Sequence, residues 1–483
     1  MKRYPAAFAA VLAAASLAGC AHVPPTPDQA SLDPDRFDAG AAIAAAAAAV
    51  TTVAPNAAPA DRDWWNGFAD PQLRRLMALA DAAPALRQAR ARVEAASADA
   101  QAAQAPLGLT ADAAGTLSAQ QFPDHYRVPP PYAGHGGSEG VLTAQLRYRL
   151  DFWGKWRAGA AQADALRATA QLEADDVRLG LRMALLAHYL RLSSAYRDLD
   201  LCNDDVASRS AALRLLQARR ERSLAADLDV VAVREAVALA QAERARAEGV
   251  LARRRHAIAA LLGQGPGFAE KLARPAPGPV ADPLPWSALP AALLGRRADV
   301  AARRSAVAAA QGGMEAARAD FYPDVDLAAF GGLQSLGVAH LLRAGSLAAG
   351  VGPALTLPLF DNGRRDAAWR RSHAGYDAAV TAYDATVAAA LQQVADALAA
   401  RTEGEGRRRA LGDVLAQRER TLALLQLRRA RGLADERELV DARLDASRAR
   451  HGLLAADADL ADARVALVHA LGGAWASAPQ SKP

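Results

Sequence analysis

The chain has little cysteine, few aromatic residues and, beyond its first twenty residues, no apolar run long enough to cross a bilayer as a helix. Two cysteines, Cys20 and Cys202, exclude a disulfide scaffold. Aromatics at 5% of 483 residues exclude a large ring-filled core, while hydrophobic residues, many of them alanine, reach 52%. That balance favours long, closely packed helices. Charge of one sign is scarce as well: the net charge is +5, and the arginines alternate with Asp and Glu. Clusters such as 253–255 and 407–409 read as solvated helix faces, so no nucleic-acid partner is expected. There is no His-Glu-x-x-His, Walker loop, Gly-x-Ser-x-Gly or Cys-x-x-Cys, and the nine histidines are scattered. Gly312-Gly313 and Gly331-Gly332 lack the strand-turn-helix context of a nucleotide site. An enzyme, a metal site and a cofactor are all unexpected on these grounds.

What is present begins with an address. Lys2 and Arg3 precede a short apolar run from Ala6 to Leu17, which reads as a secretory signal over 1–19. It closes on Leu17-Ala18-Gly19-Cys20, which resembles a bacterial lipobox. Cys20 is then the lipid-bearing first residue of the mature chain, and Ala21 in place of aspartate favours the outer membrane. Cys202 reads as a small core residue on a helix. Residues 20–63, rich in Pro and Ala, read as a lipidated tether. At the first ordered helix Asp70 is a capping residue with Pro71 at the first position. That helical pattern runs to about residue 105.

Two stretches carry the same event. Val141 to Phe152 alternates Leu142, Ala144, Leu146, Tyr148 and Leu150 with Thr143, Gln145, Arg147 and Arg149, then breaks into helix at Gly154. Ser346 to Phe360 alternates likewise and turns at Phe360-Asp361-Asn362-Gly363 into an Arg-rich helix. Pro353 and Pro358 predict a bulge or bend there. With weaker strands at about 110–121 and 324–333, the sequence offers four strands. At an offset of 209, Leu213, Leu215, Leu216, Gln217, Arg219, Arg220, Arg222, Leu224 and Ala225 meet identical residues, and Leu262-Gly263 falls on Leu471-Gly472. The chain is therefore read as a duplication: 64–263, a Pro-rich linker over 264–290, 291–472, and a tail over 473–483. Residues 154–222 and 363–431 are proline-free helical patterns, each about 100 Å long at 1.5 Å per residue. The strands have the length of tilted transmembrane β-strands. Four cannot close a barrel, and open edges are not tolerated in lipid, so subunits must share one: two would give eight strands, three would give twelve.

With these residues in hand, the chain resembles a TolC-like outer-membrane efflux factor of the lipoprotein branch that serves RND multidrug pumps. The resemblance rests on the lipobox, Trp64-Trp65 through Asp70-Pro71-Gln72-Leu73, Leu150-Asp151-Phe152-Trp153-Gly154, Gly295-Arg296-Arg297-Ala298-Asp299-Val300, Phe321-Tyr322-Pro323 and Pro358-Leu359-Phe360-Asp361-Asn362-Gly363-Arg364. It implies a mainly α fold with a membrane β-barrel: a homotrimer whose twelve-stranded barrel in the outer membrane continues into a long α-helical barrel crossing the periplasm. It further implies a passive duct for small toxic compounds, fed by an inner-membrane RND-type pump through a periplasmic adaptor (membrane fusion) protein. The adaptor-contact tips would be Arg222-Ser223-Leu224-Ala225 and Arg431-Gly432-Leu433-Ala434. The periplasmic gate would be Glu438 and Asp441, with Arg437 where relatives often carry an apolar residue. The strand–helix junctions would be Phe152 with Gly154, and Phe360, Asp361 and Gly363. Asp435 and Glu438 suggest a capping-box pair at the second tip. Two other functions share parts of the pattern, a type I protein-secretion channel and a non-channel helical scaffold lipoprotein. The four amphipathic strands disfavour the scaffold.

Overall fold

The computed structural model describes residues 70–125, 128–276, 297–434 and 436–473. Cys20 and Trp64-Trp65, residues 277–290 of the Pro-rich linker, 291–296 at the start of the second repeat, Asp435 and all but the first residue of the tail lie outside them. Helices α1 (Pro71–Ala80) and α2 (Pro84–Gln104) lead into strands β1 (Leu109–Gln121) and β2 (Gly136–Arg149). Helix α3 (Lys155–Glu221) and its return α4 (Asp227–Leu261) follow, then a short α5 (Pro266–Glu270). The second copy is α6 (Ala298–Ala319), β3 (Asp324–Leu336), β4 (Leu347–Thr356), α7 (Arg364–Ala430) and α8 (Glu436–Ala470). The long helices are 67 residues each and the return helices 35 each, so the duplication preserves element length.

Four differences from the sequence reading have local causes. The first helical pattern is two helices, because Pro84 has no N–H for a continuous helix and restarts the chain at its own first position. Strand β2 starts at Gly136 because Gly136 to Glu139 pair with Gln121 to Ser118, a small-residue stretch without an alternation signal. It ends at Arg149 because Asp151 is drawn off to cap α3. Strand β4 ends at Thr356 and contains no bulge: Pro353 lies opposite Leu327 in unbroken register. β4 is an edge strand of this sheet, where alternate N–H groups point away from the only neighbour and proline costs no ladder bond.

The residues form two compact units that cut across the repeats. One takes 92–171 and 302–384; the other takes 70–91, 172–276, 297–301 and most of 385–473. In the second, Leu73, Leu76 and Met77 of α1 pack with Leu185, Leu186, Tyr189 and Leu192 of α3, Ile258 of α4 and Val465 and Val468 of α8. Cys202 is buried and free. In the first, α6 meets α3 at backbone distance: a Cβ on Gly312 would lie 3.0 Å from Gln162 N and 3.1 Å from Ala158 O. Gly312-Gly313 is thus a helix-contact step, and a side chain there would push the helices apart.

Candidate channel, junction and docking elements

The four strands form one antiparallel sheet in the order β1-β2-β3-β4. Its register sorts the side chains by face, since residues directly opposite share a face. Leu109 pairs with Tyr148, Ala111 with Leu146 and Gly115 with Leu142; across the next ladder, Tyr148 pairs with Leu327, Leu146 with Ala329 and Leu142 with Leu333. Beyond these, Val325 pairs with Leu355, Ala329 with Val351 and Leu333 with Leu347. One face is therefore apolar or glycine across the middle of all four strands, with Gln121, Ser138 and Ser335 only towards one end. The other carries Asp112, Glu139, Gln145, Arg147, Arg149 and Asp326. The apolar face has no core over it, for Val351 is 75% exposed and Leu347 72%. Water would penalise each such side chain by about 1.5–3 kcal/mol relative to burial. Strands of 13, 14, 13 and 10 residues are long enough to cross a bilayer at a tilt. Among the described residues no helix is long and apolar enough to cross a membrane.

Both sheet-to-helix junctions use one device. Asp151 accepts hydrogen bonds from Trp156 N (3.2 Å) and Arg157 N (2.9 Å), and its carboxylate pairs with Arg157 Nε at 3.2 Å. Asp361 accepts from Arg365 N at 3.2 Å and pairs with Arg365 Nε at 2.7 Å. Between aspartate and helix the chain passes through left-handed glycine, Gly154 (φ 75°) and Gly363 (φ 81°). Each carboxylate thus satisfies orphan donors at a helix start. Phe152 is 64% and Phe360 88% exposed, as aromatics at a membrane–water boundary are. Sequence reasoning missed the cross-links between the copies here. Trp153 stacks on Tyr322 with ring centroids 4.6 Å apart and donates from Nε1 to Pro323 O at 3.0 Å. Lys155 Nζ lies 2.9 Å from Asp320 and 3.1 Å from Asp324. Only the unusual pairing of Trp-Gly-Lys with Phe-Tyr-Pro-Asp could have signalled them.

The two helix hairpins turn identically. Ser223 N donates to Arg220 O (2.8 Å) and Leu224 N to Arg219 O (2.9 Å); Gly432 N donates to Arg429 O (2.9 Å) and Leu433 N to Arg428 O (2.9 Å). These are Schellman closures, with Ser223 (φ 59°) and Gly432 (φ 71°) in the left-handed position. They leave Leu224 72% and Leu433 63% exposed, while Arg222, Arg431 and Gly432 are also exposed. Ala225 and Ala434 are half-buried. Glu438 and Asp441, three residues apart on α8, share an exposed face. Arg437 turns elsewhere: its guanidinium pairs with Asp229 in the first turn of α4 and so joins the two hairpins. The suggested cap pair involves Asp435, outside the described residues.

Two buried polar anchors hold the helices and were not read as such from the sequence. Asp70 caps α1 through Gln72 N and Leu73 N, and also accepts from Tyr189 Oη at 2.7 Å and Ala276 N at 3.1 Å. Burial opposes its charge, but those hydrogen bonds outweigh it and hold the carboxyl below the usual range. Burial, with the Asp70 contact, pushes Tyr189 well above an ordinary phenol. Arg297, only 5% exposed, forks onto Asp299 (3.0 and 2.7 Å) and donates to Gln393 Oε1 and Ala470 O, both at 2.8 Å.

A two-faced sheet continuous with paired long helical hairpins defines a class, the outer-membrane channels whose strands run directly into helices. Residues 77–264 and 289–473 match the family model described as outer membrane efflux protein, and the chain belongs to that family. It is similar to fusaric acid resistance protein FusA of Burkholderia cepacia, 33% identical over 377 residues (76% of this chain, 69% of that one). It is also similar to outer membrane protein OprJ of Pseudomonas aeruginosa, 29% identical over 486 residues (96% and 95%). The crystal structure of outer membrane protein VceC from Vibrio cholerae superposes with a TM-score of 0.79 at 29% identity, covering 86% of this chain and 99% of that one. The fold is of the TolC type and mainly helical, and the protein is an outer-membrane efflux component.

Proposed function

We propose that three copies of this chain assemble a twelve-stranded barrel in the outer membrane, continuous with a helical conduit in the periplasm, through which small toxic compounds leave the cell. The observation that carries the shared barrel is the sheet, while the count of three rests on the family resemblance. Across its middle the sheet has one apolar face and one face carrying the charged residues, and within this chain it has two unpaired edges, β1 and β4. A lipid-facing sheet cannot keep open edges, so neighbouring copies must pair them. The apolar face then meets lipid and the polar face lines a wet pore. Val351→Arg on the apolar face is expected to block outer-membrane assembly, at a cost of about 2–4 kcal/mol near mid-bilayer. Gln145→Arg on the opposite face should assemble. Equal tolerance of both would refute the barrel.

In this reading the lipid on Cys20 anchors the chain. Leu224 and Leu433, held outward by the Schellman turns, meet a periplasmic adaptor, and an inner-membrane RND-type pump selects the cargo and supplies the energy. Glu438 and Asp441 form the narrow periplasmic ring, three copies of each facing one another and attracting cations. The Arg437–Asp229 pair ties second-copy to first-copy hairpins in the resting state. Planar-bilayer conductance tests the ring. Glu438→Gln combined with Asp441→Asn should raise conductance and abolish block by divalent cations; an unchanged record would remove these residues from the gate.

A further inference from the structure

Away from the sheet, junctions and tips, one cluster brings together side chains of metal-ligating type from distant parts of the sequence. Asp198, Cys202 and Asp205 recur four and three residues apart on α3 and so share a helix face. His451 reaches them from α8. One ligand atom each from Asp198, Cys202 and His451 lie within 4.8 Å of one another. The imidazole is already oriented. Its Nδ1 is 2.8 Å from Asp198 Oδ1, and its Nε2 faces Asp205 Oδ2 at 3.8 Å. Asp205 in turn accepts from Ser447 Oγ at 2.8 Å. A cleft of about 670 Å³, bordered by these residues, gives access from solvent.

We propose that Asp198, Cys202 and His451 bind a divalent transition ion of the zinc class, clipping α3 of the first copy to α8 of the second. The donor set selects the ion, since oxygen, thiolate sulfur and imidazole nitrogen together suit Zn²⁺, Co²⁺ or Ni²⁺ and exclude Mg²⁺ and Ca²⁺. His451 ligates through Nδ1. Its opposite nitrogen faces Asp205 at 3.8 Å, close enough for that carboxylate to orient a metal-bound imidazole once the ring settles onto the ion. One carboxylate and one thiolate neutralise the ion, and Arg209, 4.0 Å from Asp205, offsets the remaining carboxylate. Tetrahedral ligation places donors about 3.3–3.6 Å apart, so the Cys202 side chain moves inward by about 1 Å on binding. A water completes the fourth position. Binding releases the Cys202 thiol proton, and the proton on Nδ1 of the neutral ring moves to Nε2.

Co²⁺ added to the chelator-treated full-length protein in detergent tests this. The wild type is expected to develop ligand-field bands and a thiolate-to-cobalt charge-transfer band saturating at one equivalent per chain, both displaced by Zn²⁺. Cys202→Ser should lose the charge-transfer band. Asp205→Asn should keep the spectrum while weakening Co²⁺ binding about tenfold or more. No charge-transfer band in the wild type, or a band surviving Cys202→Ser, would overturn the site. Should Cys202→Ser fail to fold, alkylation of wild-type Cys202 decides instead: Zn²⁺ should slow it about tenfold, and an unchanged rate would overturn the proposal.

Discussion

In the first copy the polar anchor is Asp70, accepting from Tyr189 across to α3 and capping α1; in the second it is Arg297, forked onto Asp299 and reaching Gln393 and Ala470. Neither could be built in the other copy. Leu398 stands 209 residues after Tyr189, and Ala184 stands 209 residues before Gln393. The turns, by contrast, are copied bond for bond. Gly263 N donates to Ala260 O and Gln264 N to Ala259 O, and Gly472 N to His469 O and Gly473 N to Val468 O. Backbone-made closures need only a left-handed residue at one position and survive divergence. Side-chain anchors between distant elements need several residues at once, and each copy has its own.

The sharpest way to break this comparison is Arg297→Ala. It strands Asp299 and leaves Gln393 and the Ala470 carbonyl without a donor. The expected loss is about 3–5 kcal/mol, read as the shift in denaturant-induced loss of helical circular dichroism. Arg297→Lys should recover little of it, because an ammonium lacks the planar fork. A loss below about 1 kcal/mol would mean that the second copy is held by packing alone.

Tyr189→Phe in the first copy should cost less, about 1–3 kcal/mol, since it leaves Asp70 its backbone donors but removes its phenol. The first anchor is also sensitive to acid. The folded Asp70 carboxyl titrates below its ordinary value of 3.8, so its contribution is complete above about pH 4 and lost as pH falls through the folded pKa. Asp70→Asn should flatten the acid limb of the stability profile while leaving Arg297→Ala equally damaging. An acid limb as steep in Asp70→Asn as in the wild type would remove Asp70 from that role.

The strands, hairpin breaks and duplication were legible because they rest on short-range signals: alternation at period two, left-handed glycine and an identical-residue offset. The Asp70 cap was legible for the same reason, with Pro71 beside it. What escaped depends on distance in the chain. Arg297 reads as one of two arginines until α7 and α8 close over it. Trp153 reads as part of a strand-to-helix break until Tyr322 stacks on it. Asp198 and His451 belong to different copies, so no spacing rule could join them. No bulge accompanies Pro353 because within this chain β4 pairs with β3 alone, and a proline on such a strand need remove no bond from this sheet.

The finest test of the comparison lies in the hairpin tips. Gly432 and Ser223 occupy the same left-handed position in the same closure, yet only glycine is at ease there. Gly432→Ser adds about 1–2 kcal/mol for a Cβ in that region, offset by about 0.5–1 kcal/mol because losing the glycine stiffens the unfolded chain. Ser223→Gly carries the same two contributions with opposite sign. The net changes, about 0.5–1 kcal/mol each by the same unfolding readout, should therefore be a loss at Gly432 and an equal gain at Ser223. A gain at Ser223 well below the loss at Gly432, or a destabilising Ser223→Gly, would mean that the serine side chain does more in the first hairpin than occupy the turn.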